Sequence, residues 1–264
     1  MGRGSSWRDR SIPARLRSWS AIVRQPGTAN LGQMGHHPAD GHRSDGSANP
    51  SPRGSVEVDP KECALLVAGC QPGILESLPD ADSLVRKINA AIDIVRLHSG
   101  HIVFTRMAFD DLDFRFTPTT NREFSPLARE GRLRNHTAES AIHPAVAVHP
   151  DDITVRTKRL GAFSTSDSDK QLTNLGVTTL IVSGAHTSGT VLSTVREAAD
   201  RDYRLIILSD CCADPDIDVH RLLMARIFPR QAEITSAAEL YLALAADKAG
   251  KQRIVDVGQP SHVR

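Results

Sequence analysis

Residues 180–210 constrain the fold more than any other stretch of this 264-residue chain. Their sequence, LIVSGAHTSGTVLSTVREAADRDYRLIILSD, predicts a buried strand, a tight turn, an amphipathic helix and a second buried strand. In an open parallel sheet, ligands bind at the carboxyl ends of the strands, where each turn leads into a helix. The turn over residues 183–189 is therefore predicted to form a wall of a pocket.

Apolar runs and helical periods alternate along the rest of the chain, which predicts a parallel sheet covered on both faces. An apolar run at residues 63–68 predicts the first strand, and the apolar spacing over 82–98 predicts a helix. Further strands are predicted at 101–106, 153–158, 177–183, 205–209 and 233–235, with helices at 165–175, 187–200, 218–226 and 237–247. The fold class is α/β: a three-layer α/β/α sandwich with a mainly parallel, Rossmann-like sheet of about six strands.

Composition divides the chain into three segments. Residues 1–58 are rich in Gly, Ser, Pro, Arg and His, which predicts a disordered N-terminal extension; a transit peptide is the alternative. Residues 59–247 form the predicted domain, and 248–264 a flexible C-terminal tail. The irregular segment 107–150 is long enough that we expect it to be functional or to carry short helices.

Charge, apolar runs and cysteines limit the partners and the compartment. The net charge of +1 disfavours nucleic acid or a membrane surface as partner, and no apolar run approaches the ~20 residues that span a bilayer. Cys63, Cys70, Cys211 and Cys212 include no CxxC pair and suit free thiols, which favours a cytoplasmic location.

Five motifs, by their order and spacing, resemble those of the isochorismatase-like hydrolase superfamily, which includes the nicotinamidases. They are ALLVAGCQPGI at 64–74, IHPAV at 142–146, VRTKRLGAF at 155–163, GVTTLIVSGAHTSGTVLSTVREAADRDY at 176–203 and LSDCCAD at 208–214. The TSG-x-VLSTVR turn is similar to that of a subgroup that lacks the superfamily's cysteine. The resemblance also implies a homo-oligomer, because members of the superfamily commonly self-associate.

The resemblance implies a catalytic site in which two of three chemical groups are missing. In the superfamily, an Asp after the first strand acts as base, a Lys after the third strand orients or stabilises charge, and a Cys at the helix start attacks the substrate carbonyl. Lys158 matches the lysine, but the acid position is Gly69 and the cysteine position is Thr190. The isochorismatases proper also lack the cysteine, but they keep the acid.

Residues beside these positions are candidates for binding a ligand. Arg106 ends a strand and is expected either to hold a substrate carboxylate or to pair with Asp110 or Asp111. Phe163 is expected at the pocket rim or in the core. Ala185, Thr187, Ser188 and Gly189 are the predicted ligand-binding residues of the turn, with Thr187 or Ser188 capping the helix.

Three side chains are candidates to replace the missing groups, each with a structural alternative. His186 is either a general base or an exposed residue beside an unusual peptide bond. Cys70 is either a substitute nucleophile or a buried thiol, and strand alternation, which points it away from Gly69, favours the second. Thr190 has no evident base, and hydroxyls at helix starts usually bond the backbone.

No metal and no cofactor are predicted. The metal site of nicotinamidases uses Asp and His residues in the loop after the second strand. This chain has Asp110, Asp111 and Asp113 there, but no histidine between Met107 and Arg134. Three further histidines in the N-terminal extension resemble a metal cluster by composition alone: His36, His37 and His42.

The leading hypothesis is an isochorismatase-family hydrolase-like protein with degraded catalytic machinery. It keeps a small-molecule pocket around Lys158, Gly69 and residues 185–190, and an unpartnered Lys158 favours an anionic ligand. One rival is an active hydrolase of a small amide or enol ether, using His186, Cys70 or a bound water. That rival gains support if Asp110, Asp111 or Glu76 reaches Lys158. The other rival is a non-catalytic binding or oligomerisation protein.

Overall fold

The computed structural model describes residues 58–245. Apart from Val58, the predicted N-terminal extension over 1–58 lies outside the described residues, and so does the predicted tail over 248–264. Within the described part, none of the helices is long and apolar enough to cross a membrane.

Six parallel strands form one sheet in the order β3-β2-β1-β4-β5-β6. The strands are β1 Cys63–Ala68, β2 His101–Met107, β3 Ile153–Thr157, β4 Thr179–Ala185, β5 Arg204–Ala213 and β6 Glu233–Thr235. All six residues of the central β1 are buried, because helices cover both faces of the sheet. The predicted α/β class with a parallel six-stranded sheet is confirmed.

Eight helices accompany the sheet in the described residues. They are α1 Pro72–Leu75, α2 Ala81–Leu97, α3 Asp111–Arg115, α4 Phe124–Glu130, α5 Ser168–Asn174, α6 Leu192–Ala199, α7 Ile217–Leu222 and α8, described over 237–245. The predicted irregular segment 107–150 carries α3, α4 and a 3-10 turn at Ala138–Ser140. The expectation that this loop holds short helices is confirmed.

The helices form two layers, one on each face of the sheet. α2 contacts β1, β2, β4 and β5, and the Tyr241 ring of α8 lies 6.2 Å from the His98 ring that follows α2. On the other face, Leu172 of α5 and Val195 of α6 pack with Leu66 of β1 in one apolar cluster. Burial of a large apolar side chain contributes about 1.5–3 kcal/mol, so this double coverage is the main stabilisation of the sheet.

The helix after β4 begins differently from the prediction. A wide turn over Thr187–Val191 precedes α6, and neither predicted capping residue, Thr187 or Ser188, caps it through its side chain. The Thr187 hydroxyl instead lies 2.9 Å from Nδ1 of His220, and the Ser188 N–H donates to Asp214 Oδ2 at 2.7 Å. The capping prediction was wrong because partners from the segment after β5 satisfy both residues.

Candidate functional site

The carboxyl ends of the strands bring the predicted site positions to one edge of the sheet. Gly69 follows β1, Lys158 follows β3, and the turn over residues 185–190 follows β4. The peptide bond between Ala185 and His186 is cis. Because β1 lies beside β4, Gly69 and the turn are direct neighbours, whereas Lys158 follows a strand two places away from β1.

The backbone at position 69 leaves no room for a side chain. Gly69 has a φ of +65°, a conformation that favours glycine. A Cβ at this position would lie 2.0 Å from the carbonyl oxygen of Ala185 and 3.3 Å from Oγ1 of Thr190. The space next to Gly69 is therefore filled by the backbone of the turn, and Thr190 is its nearest side-chain neighbour.

The two threonines of the turn are buried. Thr190 is 6% exposed and Thr187 is fully buried. Burial lowers the pKa of His220, so its ring is neutral at pH 7 and bonds the Thr187 hydroxyl. This imidazole bonds Thr187 rather than Thr190, and the full burial of Thr187 keeps a substrate away from its oxygen.

His186 is held by the segment that follows β1. Its Nε2 lies 2.8 Å from the Ser77 hydroxyl and 3.1 Å from the carbonyl oxygen of Ile74. A carbonyl accepts and never donates, so the contact with Ile74 requires a proton on Nε2. In this arrangement Nε2 is a donor that joins the turn to α1.

Lys158 has a carboxylate partner that the sequence did not indicate. Its Nζ lies 2.9 Å from Asp113 Oδ1, whereas Asp113 Oδ2 accepts hydrogen bonds from Nη1 of Arg156 at 3.2 Å and from the N–H of Asp110 at 3.0 Å. Burial raises the pKa of Asp113, but the Asp110 N–H and Lys158 outweigh it and hold the pKa below its ordinary value. Asp113 is therefore an ionised, fully engaged carboxylate.

The polar contacts continue from Asp113 to Arg106. Arg156 Nη1 also donates to Asp110 Oδ2 at 2.6 Å, and Asp110 Oδ1 accepts from Nδ2 of Asn135 at 3.0 Å. The Asn135 amide oxygen accepts from Nη2 of Arg106 at 2.9 Å. Lys158 and Arg106 are thus the two ends of one chain of hydrogen bonds and ion pairs, which we call the polar chain.

Phe163 lies away from the polar chain, in the apolar cluster on the α5 and α6 face. It is 4% exposed, its ring centroid lies 5.8 Å from that of Tyr203, and the guanidinium of Arg201 lies over it at 5.0 Å. Its backbone N–H donates to Glu197 Oε2 at 2.8 Å. Of the two positions expected for Phe163, the structure places the ring in the core.

The family model of the isochorismatase domain matches residues 63–239, which is most of the chain and nearly all of its described part. The chain belongs to the isochorismatase family. The resemblance inferred from its motifs is thereby confirmed at the level of the superfamily.

Individual members of the family are similar over most of their length. YwoC, an uncharacterized isochorismatase family protein from Bacillus subtilis, is 29% identical over 176 residues, 67% of this chain and 90% of YwoC. A solved isochorismatase family protein from Burkholderia thailandensis is 26% identical with a TM-score of 0.63, covering 72% of this chain and 98% of that one. A cysteine hydrolase from Pseudomonas syringae shares the fold with 22% identity and a TM-score of 0.66, covering 72% and 95%.

The other carboxylates considered near Lys158 in this isochorismatase-family chain have arginine partners. Glu76 pairs with Arg132, and Asp111 pairs with Arg134. Arg106 forms an ion pair within 4 Å with neither Asp110 nor Asp111, and among residues 58–245 its hydrogen-bond acceptor is Asn135. The expected alternative of an Arg106 ion pair was therefore wrong, because other arginines take both carboxylates.

Two cavities lie beside the polar chain. One, of about 580 Å³, is lined by Arg106, Ile142, Val148, Thr154 and residues of the segment 136–141. The other, of about 370 Å³, is lined by Phe109, Leu112, Arg134 and members of the polar chain. Neither lining includes Lys158 or the turn over 185–190. In the described residues, no group of three or more His, Cys, Asp or Glu is placed to hold a metal ion.

Sequence reasoning missed two residues that organise the site. Gln71 is fully buried: its Nε2 donates to the carbonyls of Met107 and Ser140, both at 2.8 Å, and its Oε1 accepts from the Met107 N–H at 2.7 Å. Asn135 joins Arg106 to Asp110. A buried position for Gln71 could have been inferred from its place directly after an apolar strand, but nothing in the local pattern marks Asn135.

Proposed function

We propose that this isochorismatase-family protein binds a small anionic molecule at the carboxyl end of its sheet and that its hydrolytic machinery is degraded. The observation that carries the proposal is the charge balance of the polar chain. It contains three cations, Arg106, Arg156 and Lys158, and two carboxylates, Asp110 and Asp113. The surplus positive charge favours an anion, because partly buried charges are screened less than exposed ones.

Three features support the loss of the family's hydrolytic chemistry. Gly69 lacks both an acid and the space for one. Thr190 supplies a hydroxyl where the superfamily has a thiol, and the His220 imidazole bonds Thr187 instead. Burial raises the pKa of Cys70 to about 12, so its thiol is protonated at neutral pH and is a poor nucleophile.

The second candidate function is an active hydrolase of a small amide or enol ether. The ion pair between Asp113 and Lys158 favours this second candidate, because it places a carboxylate beside the family's lysine. Here the carboxylate comes from α3, whereas the acid of the superfamily follows the first strand. The lowered pKa of Asp113 argues against a role as general base, since a carboxylate whose pKa lies below its usual range takes up a proton weakly near neutral pH. A binding role therefore fits the geometry better.

Self-association and a reducing compartment complete the proposal. Leu112 and Phe116, on and next to α3, are 63% and 74% exposed, and a second copy of the chain would cover them. These exposed side chains and the self-association that is common in the superfamily support a homo-oligomer. The four cysteines of the described residues are free and buried, which suits a reducing cytoplasm.

Turnover measurements test the proposal directly. The purified full-length chain would be assayed against a panel of small amides and against isochorismate, together with Lys158→Ala and the matched control Lys170→Ala, which changes an exposed lysine of α5. We expect no turnover by the unmodified chain above the level of Lys158→Ala. Robust turnover that Lys158→Ala abolishes and Lys170→Ala leaves intact would overturn the proposal. If Asp113→Asn then also abolished it, the hydrolase candidate would replace the binding one.

A further inference from the structure

Unlike Arg156 and Lys158, the other two cations of the polar chain, Arg106 has no carboxylate partner in the described part of the chain. Arg156 bonds two aspartates, Lys158 bonds Asp113, and Arg134 pairs with Asp111. Among residues 58–245, the acceptor recorded for the Arg106 guanidinium is the neutral Asn135 amide, which takes one of its five N–H donors. Burial and the neighbouring Arg156 lower the pKa of Arg106, and the charge of Asp110, which raises it, does not compensate for them.

The orientation of Asn135 is fixed by its other contacts. Its Nδ2 donates to Asp110 Oδ1 at 3.0 Å, so the amide oxygen must face Arg106, and the N–H of His136 also donates to that oxygen at 3.1 Å. An amide flipped the other way would place its NH2 group against the guanidinium, donor against donor. Arg106 is thus held from one side, and its remaining donors are available to a ligand.

The cavity beside Arg106 has an apolar lining and a size suited to a small molecule. Its volume is about 580 Å³, within the range usual for small-ligand sites. Ala138, Ala141, Ile142 and Val148 supply apolar surface, and Arg106 supplies the charge. A cation without a counter-ion at the wall of an apolar cavity is complementary to a ligand that has one anionic group and an apolar body.

We propose that this cavity binds a small monocarboxylate with an apolar body, whose carboxylate is received by the guanidinium of Arg106. The proposal rests on the proposed function and deepens it, since it assigns the surplus positive charge to one residue and one cavity. The carboxylate accepts charge-assisted hydrogen bonds from Arg106, and the apolar body lies against Ile142 and Val148.

Calorimetric titration of the full-length protein with benzoate, and with its uncharged counterpart benzamide, tests this assignment. Arg106→Gln removes the charge and keeps a donor for Asn135, whereas Arg122→Gln makes the same change of charge at an exposed residue ahead of α4. We expect Arg106→Gln to weaken benzoate binding roughly tenfold or more, and Arg122→Gln to change it by less than about twofold. Benzamide should bind the unmodified protein more weakly than benzoate.

Other outcomes would overturn the assignment. Equal benzoate affinity in Arg106→Gln and the unmodified chain would do so, as would the absence of benzoate binding at about 10 mM. Loss of binding in Lys158→Met with retention in Arg106→Gln would move the anion to Lys158 and leave the proposed function standing. Thermal unfolding of each variant, with a melting temperature near that of the unmodified chain, checks that a loss of binding is not a loss of fold.

Discussion

A side chain at position 69 should destabilise the domain in two ways, through its backbone conformation and through a clash with the turn after β4. An alanine at a φ of +65° costs about 1–2 kcal/mol because its Cβ crowds its own backbone. The same Cβ would lie 2.0 Å from the Ala185 carbonyl oxygen. Because that oxygen belongs to the backbone, moving it out of this clash costs about a further 1–3 kcal/mol. Gly69→Ala should therefore lower the free energy of unfolding by about 2–5 kcal/mol in total.

Gly176 is the matched control for this prediction. It has a φ of +70°, but nothing lies within 4 Å of the position of its Cβ, so Gly176→Ala should cost about 1–2 kcal/mol. Urea unfolding gives both differences, and for a domain of this size the Gly69→Ala loss corresponds to about 4–20 °C in melting temperature. If Gly69→Ala cost no more than Gly176→Ala, the close approach of the turn to β1 would be refuted. Gly69→Asp, alone or with Thr190→Cys, should likewise destabilise the domain and fail to produce amide hydrolysis.

Three further changes test other parts of the structure. Gln71→Leu leaves three buried backbone groups without partners and should lower the free energy of urea unfolding by about 3–5 kcal/mol. The control Gln171→Leu on α5 should lower it by about 0.5 kcal/mol, and equal losses would contradict the role of Gln71. Because folding lowers the pKa of Asp113, its contacts stabilise the fold at a pH above the ordinary range of an aspartate pKa, and this stabilisation is lost as the pH falls through the lowered pKa. The melting temperatures of Asp113→Asn and the unmodified chain should therefore converge in acid. Melting temperatures that move further apart as the pH falls would refute this role of Asp113. With its pKa near 12, Cys70 should resist iodoacetamide at pH 8 until the chain unfolds; mass spectrometry that finds it alkylated in the folded protein would contradict the burial.

Strands with continuous apolar runs were predictable from the sequence because their signal is local. The predicted bounds of β1, residues 63–68, coincide with the observed strand. The predicted end of β5 at residue 209 was too early, since the strand runs to Ala213. There Cys212 pairs with Gly184 after a shift in register against β4, and the polar Ser209 and Asp210 interrupt the apolar run that marks the rest of the strand.

The partners within the site could not be predicted, because each depends on contacts between distant segments. Asp110, Asp111 and Glu76 were all reasonable partners for Lys158 from their positions in the sequence. In the structure, three arginines pair with these carboxylates, two from the loop after α4 and one from β3. The aspartate left for Lys158 is Asp113 on α3. Local propensity contains no information about which of several nearby charges will pair.

The three hydrogen bonds of Gln71 have a consequence for how this fold can diverge. They bind Met107 and Ser140, the residues on either side of the segment that carries α3 and α4, to a single side chain next to β1. The ends of that segment are therefore pinned independently of what lies between them, and lengthening a loop with fixed ends adds little closure entropy. We therefore expect insertions or substitutions between these two ends, within residues 108–139, to leave the pairing of the sheet unchanged.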